Sequence, residues 1–240
     1  MKTYKDVGIP FKQINLNEAD RIISILTKYH GRVDSIAKGI RKITSRKAGN
    51  IDLMTLSKFS FAKGKNLDVI IEAELVDNFE AKKKNLKSTF NLFYICELLD
   101  KFLNIGESQN ELFELLLGFL NNKHSNRKTL LHSFELKLIT DQGYEPNLKY
   151  CLISGDKFNS DNKKYLSNER LGFICKKTHE ASTLVNDNTI KIINFLIKNS
   201  ITDSLRLKID KKYENEIKNI IKIWMNIILE KELKSKIFID

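Results

Sequence analysis

A change of hydrophobic period near residue 80 constrains the fold of this chain more than any other feature. Before it, apolar residues come in short runs broken by Gly and polar turns; after it, they recur at three- and four-residue steps. Five runs precede the change, at 7–15, 21–29, 32–38, 52–61 and 67–77, each the length of a strand. His30-Gly31 separates the second from the third, and Lys63-Gly64-Lys65-Asn66 joins the last two. Gly supplies the positive φ that such tight reversals need. In the last run Leu67, Val69, Ile71, Ala73 and Leu75 alternate with Asp68, Ile70, Glu72, Glu74 and Val76, the period of a strand with one buried face. Five antiparallel strands in this length predict a closed or partly open barrel of the oligonucleotide-binding (OB) type.

Beyond the change, Leu86, Phe90, Phe93, Tyr94 and Leu98 trace one buried helix face, and further helices are expected over 111–121 and 128–142. Gly143 stands where a helix end favours left-handed backbone. Asn186 and Asp187 offer N-caps for a helix to Lys198. An amphipathic helix is expected from Tyr213 to Lys231, with Ile217, Ile220, Ile221, Trp224, Ile227 and Ile228 as its stripe. Between 144 and 182 the pattern lapses into short polar pieces. The expected architecture is therefore α+β and multi-domain: a five-stranded OB-fold barrel over 1–80, then a mainly α-helical domain over 81–240 with 144–182 inserted as a subdomain.

The formal net charge of +11 draws the chain toward polyanions, because neutralising phosphates releases condensed counterions. Nucleic acid and an anionic membrane surface both fit, and codon use in an A/T-rich genome would also enrich Lys. No stretch approaches the ~18 to 20 consecutive apolar residues of a membrane span. Three cysteines are too few for a secreted disulfide framework, so a reducing, cytoplasmic setting is expected.

Clustering sharpens the charge argument. The segment 38–47 holds Lys38, Arg41, Lys42, Arg46 and Lys47 and no acid. It falls between two predicted strands, too polar for a core, and its like charges favour an anionic partner. Thr44 and Ser45 add hydroxyl donors. On an OB barrel this loop would border the groove, and Arg21, Lys28, Arg32, Lys63 and Lys65 would extend the cationic track. Phe59 and Phe61 share strand parity, which suits core packing more than base stacking.

Cys151-Leu152-Ile153-Ser154 and Cys175-Lys176-Lys177-Thr178 have the outline of two zinc knuckles, each with its second Cys replaced. Ser154 and Thr178 are not usual zinc ligands, and a set of Cys151, Cys175 and His179 lacks a fourth donor. No metal or other cofactor is expected. Nor does the chain carry a Walker loop, a dinucleotide fingerprint or a nucleophile-base motif, which favours a binding protein over an enzyme. An RNA-binding or ribosome-associated adaptor, or a metal-dependent nuclease, remain the alternatives.

Three groups of segments carry a resemblance. The first is Leu26-Thr27-Lys28-Tyr29-His30-Gly31-Arg32, Ala37-Lys38-Gly39-Ile40-Arg41-Lys42, Ser45-Arg46 and Glu72-Ala73-Glu74-Leu75-Val76-Asp77-Asn78-Phe79. The second is Phe134-Glu135-Leu136-Lys137-Leu138-Ile139, then Gly143-Tyr144-Glu145-Pro146-Asn147-Leu148 and Cys151. The third is Glu232-Leu233-Lys234-Ser235-Lys236. In this order and spacing the chain resembles the bacterial RecO family of recombination mediators over nearly its whole length. The resemblance implies an OB barrel, a helical domain and a zinc-ribbon-like module that carries four cysteines in many members and is degenerate here. It further implies binding of single- and double-stranded DNA, annealing of complementary strands, association with RecR, and loading of RecA onto strands coated by single-strand-binding protein, in a nucleoid-associated setting. By position, Lys38, Arg41, Lys42, Arg46 and Lys47 would contact DNA.

Overall fold

The first strand, β1 (Thr3–Asn15), is long enough to serve two neighbours. Its first half pairs with β4 (Leu56–Ala62) and its second with β2 (Arg21–Thr27), both antiparallel. The structure, a computed structural model, describes residues 2–43, 45, 48–122, 128–159, 161–179, 181, 183–230 and 233. With β3 (Gly31–Ala37) and β5 (Asp68–Asp77) the strands close into a barrel in the order β1-β2-β3-β5-β4, which leaves no edge to template aggregation. Ile23, Ile25, Val33, Ala37, Ile40, Ile51, Phe59, Phe61 and Ile70 fill its interior. Phe59 and Phe61 stack there at 5.6 Å between ring centroids, so both are core, as their parity implied.

Two expectations about this sheet need correction. The strands are not all antiparallel: β5 runs parallel to β3, pairing Asp68 with Ser35 and Val69 with Ile36. The reason is topological. After β3 the chain makes an excursion, with a short 3-10 turn at Ala48–Ile51, and β4 then pairs with β1, which leaves β5 to close the cylinder against β3. The strict alternation expected for β5 also fails. Ser60 faces Glu72 while Phe61 faces Ile70, so Ile71 is the extra residue of a bulge. Parity flips across it, turning Ile70 into the core and leaving Ile71 40% exposed.

Helices α1 (Glu80–Lys83), α2 (Leu86–Phe102) and α3 (Asn110–Asn121) follow. Asn85 starts α2 by accepting from the Lys87 and Ser88 N–H groups, the capping that a short polar side chain provides. α2 packs on β1 and α3 on β2. Gly31, at φ +62, opens β3 so close to this helical layer that a Cβ would stand 1.7 Å from Glu107 O. The change of element type thus falls at residue 80, whereas the compact units divide after residue 125 and the second unit spans 126–233.

Lys82 is the anomaly of the first unit. It is buried, and its Nζ has no hydrogen-bond partner among the described residues. Among the described residues it is the face of Phe119, 4.6 Å away, that stabilises its charge. Burial lowers its pKa from 10.5 to about 8. The unfolded chain therefore binds the proton more tightly, so stability is depressed below pH 8 and recovers as pH rises toward 10.5. A shift of this size corresponds to about 3 kcal/mol at neutral pH. Lys82→Met is expected to raise the unfolding free energy at pH 7 by roughly 1–3 kcal/mol, the cation–π contact offsetting part of the gain. Urea unfolding of both proteins at pH 7 and pH 10 checks this, since the gap should narrow at the higher pH.

In the second unit, α4 (Lys128–Asp141) buries nearly all its faces and packs against α5 (Asp187–Lys198), α6 (Ile201–Ser204) and α7 (Lys211–Leu229). A helix buried on nearly every side is the central one, here with Thr129, His132, Ser133 and Glu135 among its buried residues. Gly143 takes φ +85 as expected, and Tyr144 N–H closes the end of α4 onto Ile139 O. Asn186 caps α5 through the Asn188 N–H. The stripe of α7 is buried at Ile217, Ile220, Ile221 and Trp224, with Met225 added and Ile227 and Ile228 only half-buried. Lys231, Glu232 and Lys234 to Lys236 lie outside the described residues. Between α4 and α5 three very short strands, β6 (Lys164–Leu166), β7 (Phe173–Ile174) and β8 (Leu184–Val185), make a sheet of order β7-β6-β8. Phe173 meets Trp224 of α7 edge-on at 6.2 Å.

Candidate nucleic-acid interface

The basic loop leaves β3 as a tight turn whose position the sequence enforces. Gly39 takes φ +67, and Ile40 drops its side chain into the barrel core. With that one apolar residue fixed inside, Lys38, Arg41 and Lys42 are left on the outside, all three exposed. The turn is also stitched to the neighbouring hairpin. Gly39 N–H donates to the Asp20 carboxylate at 2.7 Å, Arg41 N–H to Ala19 O at 3.0 Å, and the Arg41 guanidinium to Asn17 O at 2.7 Å. These are the residues of the β1–β2 turn, so two loops form one rim. Arg21 begins β2 on that same hairpin, its guanidinium held by Gln13 Oε1 at 3.0 Å and Asn15 Oδ1 at 3.1 Å.

Lys63 and Lys65 lie exposed on the β4–β5 turn. Because β5 runs parallel to β3 from the Asp68–Ser35 pair, this turn extends toward the Gly31 end of β3, away from Lys38, so Lys63 and Lys65 are not brought to the rim. Lys63 Nζ sits over the Tyr4 ring at 5.7 Å. Lys38, Arg41, Lys42, Lys63 and Lys65 make no ion pair with any described residue. Lys38, Arg41 and Lys42 are a row of unpaired cations on backbone fixed at several points, suited to phosphate oxygens, which need charge and position more than shape. Arg46 and Lys47, and Thr44 beside them, lie outside the described residues.

Arg32 does not join the track, which corrects the expectation for it. Its side chain is only 12% exposed and its guanidinium is committed inward. It pairs with Asp34 at 3.1 Å and Asp100 at 3.3 Å, donates to the Asp100 and Leu103 carbonyls at the end of α2, and lies over the Phe11 ring. Lys28, expected to extend the same track, pairs instead with Glu114 of α3 at 2.8 Å. Both follow from one fact: the outer face of β2 and β3 is covered at this end by helices. Ser24 and Leu26, which point away from the core, are buried there, whereas Ile22 and Ile36 at the rim end stay half-exposed. What the sequence reading did not single out is the β1–β2 turn itself, whose Asn17 and Asp20 anchor the loop. The polar run Asn15-Leu16-Asn17-Glu18-Ala19-Asp20 between two strands was the available signal.

The two knuckle cysteines meet, with Cys151 Sγ 3.2 Å from Cys175 Sγ. His179 does not complete a set with them. Among the described residues no three His, Cys, Asp or Glu side chains converge as metal ligands would. The donors present here therefore do not fit a structural zinc ion, which takes four N or S ligands. No helix among the described residues is long and apolar enough to cross a membrane.

The chain is similar to known proteins over nearly its whole length. Residues 1–79 match the family described as Recombination protein O N terminal, and residues 84–237 match Recombination protein O C terminal. A DNA repair protein RecO of Dehalococcoides mccartyi is 31% identical over 241 residues, spanning 99% of this chain and 95% of the relative. The protein of that name from Desulforamulus reducens is 30% identical over 244 residues, covering 100% of this chain and 95% of its own. That of Clostridium acetobutylicum is 30% identical over 226 residues, or 92% and 91% of the two chains.

Proposed function

This chain belongs to the RecO family of DNA repair proteins, and from that premise we propose that it is a DNA-binding recombination mediator without enzymatic activity. The barrel acts as an OB fold that holds single- or double-stranded DNA by its phosphates along the rim of Arg21, Lys38, Arg41 and Lys42, while Lys63 and Lys65, toward the other end of β3, would be a separate contact. Arg46 and Lys47 continue the basic segment in sequence. The observation that carries this reading is the turn at 38–42, which Ile40 and the Asp20 and Asn17 contacts hold in place with three unpaired cations outward.

Phosphate-led contact leaves base edges free, which strand annealing requires. The cations offset the repulsion between two approaching strands. With RecR, the protein would help load RecA onto strands coated by single-strand-binding protein, working in the cytoplasm at the nucleoid. The barrel over 1–80 supplies the DNA contacts, and the helical part over 81–240, with its insertion at 144–182, supplies partner surfaces. No metal or cofactor is needed for any of this.

Annealing of complementary oligonucleotides tests the proposal. The protein is expected to accelerate annealing of bare strands, and to do so on strands coated by single-strand-binding protein, with RecR altering the rate. Plasmid incubated with the protein and divalent ions should stay intact. Annealing no faster than the spontaneous rate, a preference for RNA, or chelator-sensitive nicking would each overturn it.

A further inference from the structure

One buried cluster of the insertion between α4 and α5 consists of Cys151, Ile174 and Ala181, with Leu152, Phe158, Tyr165 and Cys175 packed against it, while Leu166, Phe173 and Val185 are buried besides, Phe173 against Trp224. Small modules of such short strands are commonly stapled by a metal or a disulfide. The residues that follow each knuckle's two-residue spacer are Ser154 and Thr178, and among the described residues the donors for a metal do not converge. The two sulfurs do converge, at 3.2 Å, across 24 residues of chain.

We propose that Cys151 and Cys175 are a redox-modification site, closing into a reversible disulfide that staples this module where the knuckle no longer offers a metal its ligands. The surrounding backbone already brings the pair together. Leu152 N–H donates to Phe173 O at 3.0 Å, and Cys175 N–H donates to Cys151 Sγ at 3.3 Å. The sulfurs need only move from 3.2 Å to the bonded separation of about 2.05 Å.

The two thiols also differ in a useful way. Burial works against ionising Cys151. Hydrogen bonds to its sulfur from the Ser154 N–H and hydroxyl, the Ile153 N–H and the Cys175 thiol outweigh that and bring its pKa down to about 6. Cys175 is held up by its own bond to Cys151 and by burial, so it keeps its proton. The oxidant is a hydroperoxide. The Cys151 thiolate attacks one peroxide oxygen; an S–O bond forms, the O–O bond breaks, and hydroxide leaves to become water. The Cys175 thiol then attacks the sulfenic sulfur; the S–S bond forms, the S–O bond breaks, and the departing hydroxide takes the Cys175 proton as a second water. Two thiols lose two electrons and two protons, and one hydrogen peroxide becomes two waters. A small dithiol reverses the reaction.

The chain carries its own control. Cys96, in the other unit, is buried, and burial pushes its thiol up to about 12, so it stays reduced. After brief treatment of the full-length protein with equimolar hydrogen peroxide, thiols titrated in denaturant are expected to fall from three to one. The protein should be two hydrogens lighter, and a proteolytic map should join the Cys151 and Cys175 peptides. Dithiothreitol should restore all three thiols, and the oxidised form should melt several degrees higher. Cys151→Ser and Cys175→Ser should each abolish the crosslink. If either variant fails to fold, the wild-type map still decides. Three thiols surviving peroxide, Cys151 carried to sulfinic acid without a crosslink, or stoichiometric zinc shielding both sulfurs would overturn the proposal.

Discussion

Arg32→Ala is expected to lower the unfolding free energy by about 3 kcal/mol while leaving the phosphate-dependent part of DNA binding intact. The guanidinium satisfies two carboxylates and two carbonyls at the end of α2 from a site only 12% exposed. Removing it leaves Asp34 and the helix end without their donor, and losing one partner of a buried pair costs far more than the pair contributed. Asp100 keeps Lys12, at 2.8 Å, which places the cost toward the lower end of the range for such sites. Arg32→Lys should recover little, because a single ammonium cannot serve carboxylates and carbonyls that the planar fork reaches together. Urea unfolding gives the stability, and titration with a labelled oligonucleotide, under conditions where the variant is folded, gives the binding.

The opposite pattern is expected of the rim. Replacing Lys38, Arg41 and Lys42 together with Ala should weaken binding to single-stranded DNA by about two orders of magnitude at 0.1 M salt. Each lost phosphate contact removes roughly 0.7 from the dependence of log K on log salt for a single strand. Stability should change by less than about 1 kcal/mol, since the three side chains are exposed and Ile40 still anchors the turn. Fluorescence anisotropy at fixed salt reads the loss. A drop of equal size for Arg32→Ala and for the rim variant would mean that the two sites had been wrongly distinguished.

That distinction could not be drawn from the sequence. Arg32 and Arg41 look alike there, both near strand ends in a basic stretch, and the partner that decides the role of Arg32 lies 68 residues away at Asp100. Local chemistry was legible where it is local. The period change near residue 80, the Gly-bearing turns, the Asn186 cap and the Gly143 terminus all follow from backbone preferences within a few residues. Long-range pairing was not. The bulge that exposes Ile71 depends on where Phe61 falls across the ladder, and the parallel pairing of β3 with β5 depends on β4 having taken β1. Strands of two or three residues such as β7 and β8 are too short to show a period at all. The loop itself was found by charge density alone. Its anchoring to the β1–β2 turn, which makes it a rim and not a solvated tail, needed the Asp20 and Asn17 contacts.

The most direct test of phosphate-led binding is the slope of log K against log salt for a single-stranded oligonucleotide, measured for the wild-type chain and for Lys38→Ala/Arg41→Ala/Lys42→Ala. Three lost contacts should flatten the slope by about 2 and bring the two affinities together as salt approaches 1 M. Parallel lines, with slope unchanged whatever the offset, would show that these cations do not lie on the phosphates.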